Sequence, residues 1–359
     1  MFRASVLLSL ATLALGLATG DLQVSIKAAS SSVSSIDDIV LIATVTNPTG
    51  ADIRVIKTAN ILDSNPTESF SVTKGDKIVD FTGIILSPDF ERDGNFITIP
   101  AGESISVNHN VAALYNFEEH GTGSFTFTPW TIFQTEFNGD PLTIDVDPIT
   151  VEIVNDVANR ELFPSDSEMG AFTSTPSCND SKKLGIIRNG LTAARALAGG
   201  AAADIRNRPN SAAWTKFFGG NISRDDVWWR FDLIAGDLAS SGNRKIFCNQ
   251  DPANLCGSAT AYTRLVRSGG NIISSDIYMC SGFFTYTPTS KVCTTLIENF
   301  YGSLDGVVLH ELSHATVGTT DHAYGCGAVQ KLSTAQKFSN ADNYECMSLA
   351  VHRTFKCGL

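Results

Sequence analysis

The chain has 359 residues, of which 43% are hydrophobic and 18% are charged, and its formal net charge is −11. This balance excludes a disordered or collagen-like chain. The negative charge argues against a protein that binds nucleic acid through its phosphates. The length is sufficient for two domains of about 150 residues each.

Cysteine content and charge both change near residue 177. All 8 cysteines lie between Cys178 and Cys357. From residue 178 onward the chain has 18 Lys+Arg against 14 Asp+Glu, which leaves 8 against 23 in the preceding part. The net charges are therefore −15 before this point and +4 after it. We predict two unlike domains that join here.

Residues 1–20 have the pattern of a secretory signal peptide. Arg3 supplies a positive start, residues 6–17 form an apolar run, and small residues at 18–20 offer a cleavage site. No later stretch is long and apolar enough to cross a bilayer. We therefore expect a secreted, extracellular protein without a membrane segment, and its even number of cysteines predicts disulfide bonds.

Residues 21–155 consist of short runs rich in Val, Ile, Thr and Phe, separated by turn formers such as those at 48–50. Seven or eight strands at this spacing predict an all-β sandwich of immunoglobulin-like type. Residues 156–177 lack periodicity and are rich in Ser, Thr and Pro, which predicts an exposed linker.

From residue 178 to the end, the spacing of apolar residues becomes helical. A short strand is predicted at 276–284. Helices are predicted at 184–205, 225–239, 294–301, 304–315 and 333–352. The second domain is therefore expected to be mainly helical, of α+β class.

One of these helices contains the sequence HELSH. On a helix, His310 and His314 are four residues apart and share a face, so both imidazoles can bind one zinc ion. Glu311 lies beside them and is placed to act as general base on a zinc-activated water. The pattern predicts a metal-dependent hydrolase with one zinc ion per chain.

A catalytic zinc site needs a third protein ligand. The metzincin pattern fails, because Val317 and Thr320 occupy the positions where it has Gly and His. Glu345 is the only later glutamate and is rather far along for a thermolysin-like site. The nearest suitable groups are Asp321 and His322, and the residues alone leave both open.

HELSH followed by GTTDHAYG resembles the deuterolysins, or aspzincins, whose pattern is HExxH and then GTxDxxYG. The resemblance implies a zincin-like metalloendopeptidase that hydrolyses protein or peptide substrates. It assigns the third zinc ligand to Asp321 and stabilisation of the oxyanion to Tyr324. Only six residues separate His314 from Asp321, fewer than in typical members, so the loop must turn tightly.

The same resemblance implies a precursor with a signal peptide, a propeptide and a catalytic domain. Residues 21–155 would then be the propeptide domain, 156–177 a linker that contains the activation cleavage, and 178–359 the protease. It further suggests the pairs Cys178–Cys248, Cys256–Cys280 and Cys293–Cys357, which leave Cys326 and Cys346 to pair with each other.

The segment SNADNYECM resembles the NADNxE segment of the peptidyl-Lys members of this family. Asp342 and Glu345 match its two acids, which in those members face the pocket for the residue after the cleaved bond. Two carboxylates there favour a lysine ammonium. The alternative is that they form a solvated helix face, or that Asp342 caps the helix or supports a metal ligand.

The acidic first region and the basic second one should attract each other. We therefore expect the propeptide to be an intramolecular partner that covers the active site or assists folding. His109 and His120 could approach the metal, although isolated histidines are more often surface residues. A competing hypothesis is a secreted binding protein whose β-sandwich is the working module and whose metal site is structural or inactive.

Overall fold

The computed structural model describes residues 17–162, 175–237, 243–287 and 289–358. Most of the predicted signal peptide and the central part of the predicted linker lie outside these ranges. Within them, no helix combines the length and apolarity needed to cross a membrane. Below, the N-terminal region denotes residues 17–162 and the C-terminal region denotes residues 175–358.

The N-terminal region is built from strands, as its alternating sequence predicts. A three-stranded sheet has the order β1-β3-β9, and a five-stranded sheet has the order β2-β13-β10-β5-β6. The strands are β1 Gln23–Ala28, β2 Ser32–Ser35, β3 Val40–Thr46, β4 Ile53–Ile56, β5 Phe70–Lys74, β6 Lys77–Ile78, β7 Ile84–Pro88, β8 Phe96–Ile99, β9 Ser104–Asn110, β10 Gly123–Pro129, β11 Ile132–Phe133, β12 Leu142–Thr143 and β13 Ile149–Asp156.

The three-stranded sheet and the five-stranded sheet of this region share one hydrophobic core. In β3, for example, Leu41, Ala43 and Val45 are fully buried while the residues between them are partly exposed. Alternation of this kind buries one face of a strand and leaves the other to solvent. The structure thus has the sheet-rich first region that we predicted, and its immunoglobulin-like topology stays a prediction.

The C-terminal region combines helices with one five-stranded sheet of order β14-β15-β17-β16-β7. Only one strand was predicted here, at 276–284, and it partly overlaps β17. The elements are β14 Thr175–Ser177, α1 Ser181–Asn207, α2 Ala212–Phe217, α3 Arg224–Ala235, β15 Asn243–Phe247, β16 Ala259–Ser268, β17 Asn271–Met279, α4 Leu304–Val317, α5 Thr334–Ser339 and α6 Ala341–Cys357.

The predicted helices are partly right. Those at 184–205, 225–239 and 304–315 correspond to α1, α3 and α4. The helix predicted at 294–301 is only a 3₁₀ turn at Ile297–Asn299. The one predicted at 333–352 is two helices that meet at Asn340, whose extended backbone (ψ 125°) interrupts the helical path. Helical spacing of apolar residues did not reveal this break, because it depends on the backbone at one residue.

One strand crosses the boundary between the regions. β7 belongs to the N-terminal region by sequence, yet it pairs antiparallel with β16, so that Ser87 lies opposite Ala261 and Ile85 opposite Thr263. In return, Leu265 of β16 is fully buried in the N-terminal core. The two regions therefore share a sheet, although their compositions differ.

Four disulfide bonds hold the C-terminal region together. They are the four pairs that the family resemblance suggested: Cys178–Cys248, Cys256–Cys280, Cys293–Cys357 and Cys326–Cys346. The last of these ties α6 to the loop that follows α4. Because α4 and α6 carry most of the candidate site residues, this cross-link restrains the site directly.

Candidate metal centre and active site

Helix α4 carries His310, Glu311 and His314 in the middle of a buried stretch. The hydroxyl of Ser303 caps its first turn by accepting a hydrogen bond from the Gly306 backbone N–H. The helix ends at Gly318, which has the left-handed φ of 65° and donates its N–H to the carbonyl of His314. The left-handed φ favours glycine at this position, and a Cβ there would also force the Arg267 guanidinium to shift.

The loop after α4 turns back and brings Asp321 to both histidines. One Asp321 oxygen lies 3.3 Å from His310 Nε2, and the other lies 3.5 Å from His314 Nε2. The two Nε2 atoms and both Asp321 carboxylate oxygens are buried, and none of the four has a hydrogen-bond partner among the described residues. Buried polar atoms are rarely left unpaired. Two nitrogens and a carboxylate that converge in this way are a donor set that suits zinc.

The other ring nitrogen of each histidine is held by a fixed partner. His310 Nδ1 lies 2.7 Å from Asp342 Oδ1, and His314 Nδ1 lies 2.8 Å from the Thr319 carbonyl oxygen. Both partners are acceptors, so each Nδ1 carries the proton. When the imidazole is neutral, this fixes the tautomer in which the lone pair is on Nε2, the atom that faces Asp321 and would bind a metal ion.

The charges of the cluster reinforce one another. Burial by itself would raise the pKa of Asp321, but His310 and His314 hold that pKa well below its ordinary value. Burial opposes protonation of His310, yet Asp321 and Asp342 together place the pKa of its imidazole well above the ordinary value. The carboxylate is therefore ionised, and the surroundings stabilise positive charge at the point where the three side chains meet.

Glu311 is fully buried beside this cluster, and both of its carboxylate oxygens accept hydrogen bonds. Thr263 of β16 donates its hydroxyl to one oxygen at 2.6 Å, and Ser87 of β7 donates to the other at 2.5 Å. Charge-assisted hydrogen bonds of this length hold a carboxylate in one orientation. One of the two donors comes from the N-terminal region.

Tyr324 is also buried at the site, and its hydroxyl lies 3.4 Å from the carbonyl oxygen of Leu86 in β7. Burial, together with the negative charges of Asp321 and Asp342, raises the pKa of the phenol well above its ordinary value. The hydroxyl therefore keeps its proton and can donate a hydrogen bond. Its ring packs against Phe90 of the N-terminal region at 5.1 Å.

Asp342 and Glu345 lie at the start of α6 and are largely buried. Asp342 supports His310 with one oxygen and accepts the Gly325 backbone N–H with the other, at 2.6 Å. Glu345 Oε2 is 3.9 Å from His310 Nδ1, and burial followed by the charge of Asp342 raises the pKa of its carboxyl to about 8. A side chain at Gly306 would collide with the Glu345 carboxylate, so this glycine provides its space.

A cavity opens beside the cluster. His310, Asp342 and Tyr324 line it on one side, and Tyr286 and Tyr301 extend its wall. Asp342 therefore both supports a candidate metal ligand and faces the cavity. The N-terminal region covers this space with four residues: Ser87, Pro88, Phe90 and Phe137.

The remaining candidate histidines lie in other surroundings. His322 stacks on Trp130 with ring centroids 4.8 Å apart, and its Nε2 lies 2.9 Å from the Ser339 hydroxyl. Burial lowers the pKa of His322 to about 4. His109 lies in the N-terminal core, with Nε2 2.9 Å from the Ile61 carbonyl oxygen. His120 lies in a 3₁₀ turn of the same region.

Several residues that complete the site were not anticipated. Thr263, Ser87 and Thr319 contact Glu311 or His314 directly. Gln134 and Asn138 of the N-terminal region bind the backbone of the loop that carries Tyr324. Ser87 is 224 positions away from Glu311 in the chain. No local pattern in the sequence relates residues so far apart. Thr319, in contrast, directly follows Gly318, so its contact with His314 could have been predicted.

A family model described as "Lysine-specific metallo-endopeptidase" matches residues 203–348, a span that includes α4, the following loop and the start of α6. The "Peptidyl-Lys metalloendopeptidase" of Armillaria mellea is 25% identical over 340 residues, which cover 88% of this chain and 88% of that protein. These matches confirm the resemblance to the deuterolysins and identify a metalloendopeptidase.

Other relatives also match this chain over most of their own length. A "Neutral protease 2 homolog" of Pyricularia oryzae is 27% identical over 330 residues, covering 86% of this chain and 87% of its own. Another, from Uncinocarpus reesii, is 27% identical over 367 residues, covering 96% of this chain and 97% of its own. Alignments of this length include the N-terminal region as well as the HExxH region.

Proposed function

We propose that this chain, a deuterolysin-like metalloendopeptidase, is a secreted precursor that binds one zinc ion through His310, His314 and Asp321. The observation that carries the proposal is the convergence, beside the carboxylate of Glu311, of four buried atoms that have no hydrogen-bond partner in the described part of the chain. The competing hypothesis of a binding protein with an inactive metal site is disfavoured, since both halves of the sequence motif meet at one point.

The donor set fits zinc in number and kind. Three protein ligands leave a coordination position open, as catalytic zinc sites require. A zinc ion bound there would polarise a substrate carbonyl and lower the pKa of a water molecule. Asp342 and Thr319 would keep the two imidazoles in the correct tautomer.

In this proposal, Glu311 accepts a proton from the attacking water and later delivers one to the leaving amine. Thr263 holds its carboxylate in place. The Tyr324 hydroxyl donates a hydrogen bond to the carbonyl oxygen of the cleaved bond as negative charge develops there. The raised pKa of Tyr324 keeps it in the donating form.

We further propose that lysine is preferred after the cleaved bond. The aliphatic part of a lysine can lie along Tyr286 and Tyr301, and its ammonium can approach Asp342. Although both Asp342 oxygens already accept a hydrogen bond, a carboxylate has about four lone-pair sites. Glu345 does not line this cavity, and burial followed by the charge of Asp342 raises its pKa to about 8, so Asp342 is the acidic group that would meet the ammonium.

Three measurements test this function. The secreted protein should contain one zinc per chain by elemental analysis, and removal of the metal by a chelator should abolish peptide hydrolysis. Mass spectrometry of a denatured protein digest should find lysine after the cut bonds. Random residues at that position would contradict the lysine preference while leaving the endopeptidase proposal intact.

Secretion and processing are tested separately. N-terminal sequencing of the extracellular protein should find a start near residue 177, as expected after removal of residues 1–20 and cleavage in the 156–177 linker. A mature protein that starts at Asp21 and lacks zinc would contradict both the precursor and the protease proposals.

A further inference from the structure

Strand β7 completes the sheet that flanks the active site. Without it, β16 would be the outermost strand of that sheet among the described residues. The exposed edge of a strand is a template for pairing with another extended chain. In this molecule the partner is a segment of the same chain, paired antiparallel from Ile84 to Pro88.

The two faces of β7 contact different parts of the molecule. Ile84 and Leu86 are buried against aromatic residues of the C-terminal region, including Tyr262 and Tyr278. Ile85 points the other way and packs in the N-terminal core. This alternation anchors the strand to both regions at once and fixes its register on β16.

The strand meets the catalytic side chains at two successive residues. The Leu86 carbonyl oxygen faces the Tyr324 hydroxyl at 3.4 Å, and the Ser87 hydroxyl donates to Glu311 at 2.5 Å. Tyr324 thus meets a peptide carbonyl, as it would in the proposed reaction. Glu311, however, has both oxygens occupied by hydroxyl donors, which leaves it poorly placed to accept a proton from water.

A second set of contacts holds the opposite wall of the cleft. The Gln134 side chain accepts the Tyr324 backbone N–H at 2.8 Å and donates to the Tyr324 carbonyl at 3.2 Å. Asn138 Oδ1 accepts the N–H of Gly327 and that of Ala328. Side chains at Gly325 or Gly327 would collide with Asn138, so the two surfaces fit closely.

We propose that β7 is a substrate-like blocking strand: residues 259–264 of β16 bind extended polypeptide antiparallel, and in the uncut chain Ile84–Pro88 fills this place while Ser87 engages Glu311. The inference rests on the proposed endopeptidase function and adds how the precursor is kept inactive. Cleavage of the linker would allow β7 to leave and a substrate to take its position on β16.

The test compares two variants of the full chain in the N-terminal region. Leu86→Asp places an unpaired carboxylate against the aromatic cluster of the C-terminal region, which should expel the strand. Ile78→Asp makes the same kind of change at an exposed residue and serves as the matched control. Each chain is loaded with zinc and assayed uncut on a fluorogenic peptide, and again after the linker is nicked by limited proteolysis.

We expect uncut Leu86→Asp to hydrolyse the peptide about tenfold faster than the uncut parent chain, a ratio that corresponds to about 1.4 kcal/mol. Uncut Ile78→Asp should match the parent. If the uncut Leu86→Asp chain stays inactive while the nicked parent is active, β7 is not the block. If no zinc-loaded chain is active, cut or uncut, the endopeptidase function itself fails.

Hydrogen exchange on the parent chain gives a second test that needs no variant. Amides of residues 84–87 and 259–264 should be protected in the uncut chain and should lose protection as the nicked chain gains activity. Full activity with this protection retained would overturn the proposal. This readout also applies if Leu86→Asp fails to fold.

Discussion

The two regions of this molecule are stabilised by different means. The N-terminal region has no cysteine and relies on alternating strands around a core of aliphatic and aromatic residues. The C-terminal region packs helices around α4 and adds four disulfides. All the candidate metal ligands lie in the second region, and the first supplies a strand, a hydroxyl and two amide side chains to the same site.

This difference shows that the boundary near residue 177 separates two regions of different composition but does not separate their packing. Cysteine content and charge change there, yet β7 and Leu265 each lie in the other region's structure. In the precursor that we propose, the N-terminal region need only block the site until it is removed. The C-terminal region, which we propose to act outside the cell, would benefit from covalent cross-links there.

The sharpest test of this division is Glu311→Gln, which keeps the side-chain shape but removes the general base. We expect the activity of the nicked, zinc-loaded chain to fall by about 10²–10⁴-fold, the usual contribution of such a group. Glu152→Gln, on an exposed position of β13, is the matched change in the N-terminal region and should have no effect. Zinc content should be equal in both. A Glu311→Gln enzyme that keeps most of its activity would contradict the assignment.

The next largest effect should follow loss of the cross-link between the catalytic loop and α6. Replacing both Cys326 and Cys346 by alanine opens a loop of 20 residues. We expect the free energy of unfolding of the C-terminal region to fall by about 3 kcal/mol. Urea unfolding, followed by hydrogen exchange in each region, should show the loss in α4 and α6 while β3 and β9 are unchanged. A uniform loss across both regions would mean that the shared sheet couples them fully.

A smaller effect is expected from Asp342→Asn, which weakens the hold on His310. Loss of such a supporting carboxylate should lower zinc affinity by about 10–100-fold. Glu345→Gln is the matched control, since Glu345 is 3.9 Å from the same nitrogen and should change affinity less. Competition with a chromogenic chelator measures both. Equal zinc affinities for Asp342→Asn and the parent chain would show that Asp342 lines the cavity but does not support metal binding.

What could be predicted from the sequence followed from local spacing. Four-residue spacing placed His310 and His314 on one helix face, and two-residue alternation indicated the strands of the N-terminal region. The position of Asp321 depends on a loop, so the residues alone did not decide whether Asp321 or His322 is the third metal ligand. In the structure, Asp321 faces both histidines while His322 stacks on Trp130.

The contacts that the sequence did not reveal are those between distant segments. Ser87 has no neighbour in the chain that indicates a role, and the segment around it has the pattern of any buried strand. The sequence pattern did not predict its partner strand β16 either, so the shared sheet could not be predicted. Pairing between strands far apart in sequence depends on the whole fold and leaves no local periodic signal.

The smallest expected effect is the pH dependence that His109 gives to the stability of the N-terminal region. Burial lowers the pKa of His109, whose ring packs edge-on against Phe70. The unfolded chain therefore binds a proton near the ordinary pKa of about 6.5, whereas the folded chain does not. Stability from this group is complete above that pH and is lost as the pH falls through it. Acidification from pH 7.5 to 5 should thus weaken β3 and β9 through this group.

Hydrogen exchange at several pH values measures this directly. In His109→Gln, the exposure of β3 and β9 should depend less on pH than in the parent chain, because the titrating group is gone. His120→Gln, a change of the same type in the same region, is the matched control. If the pH dependence survives in His109→Gln, another group must couple acid to the N-terminal core.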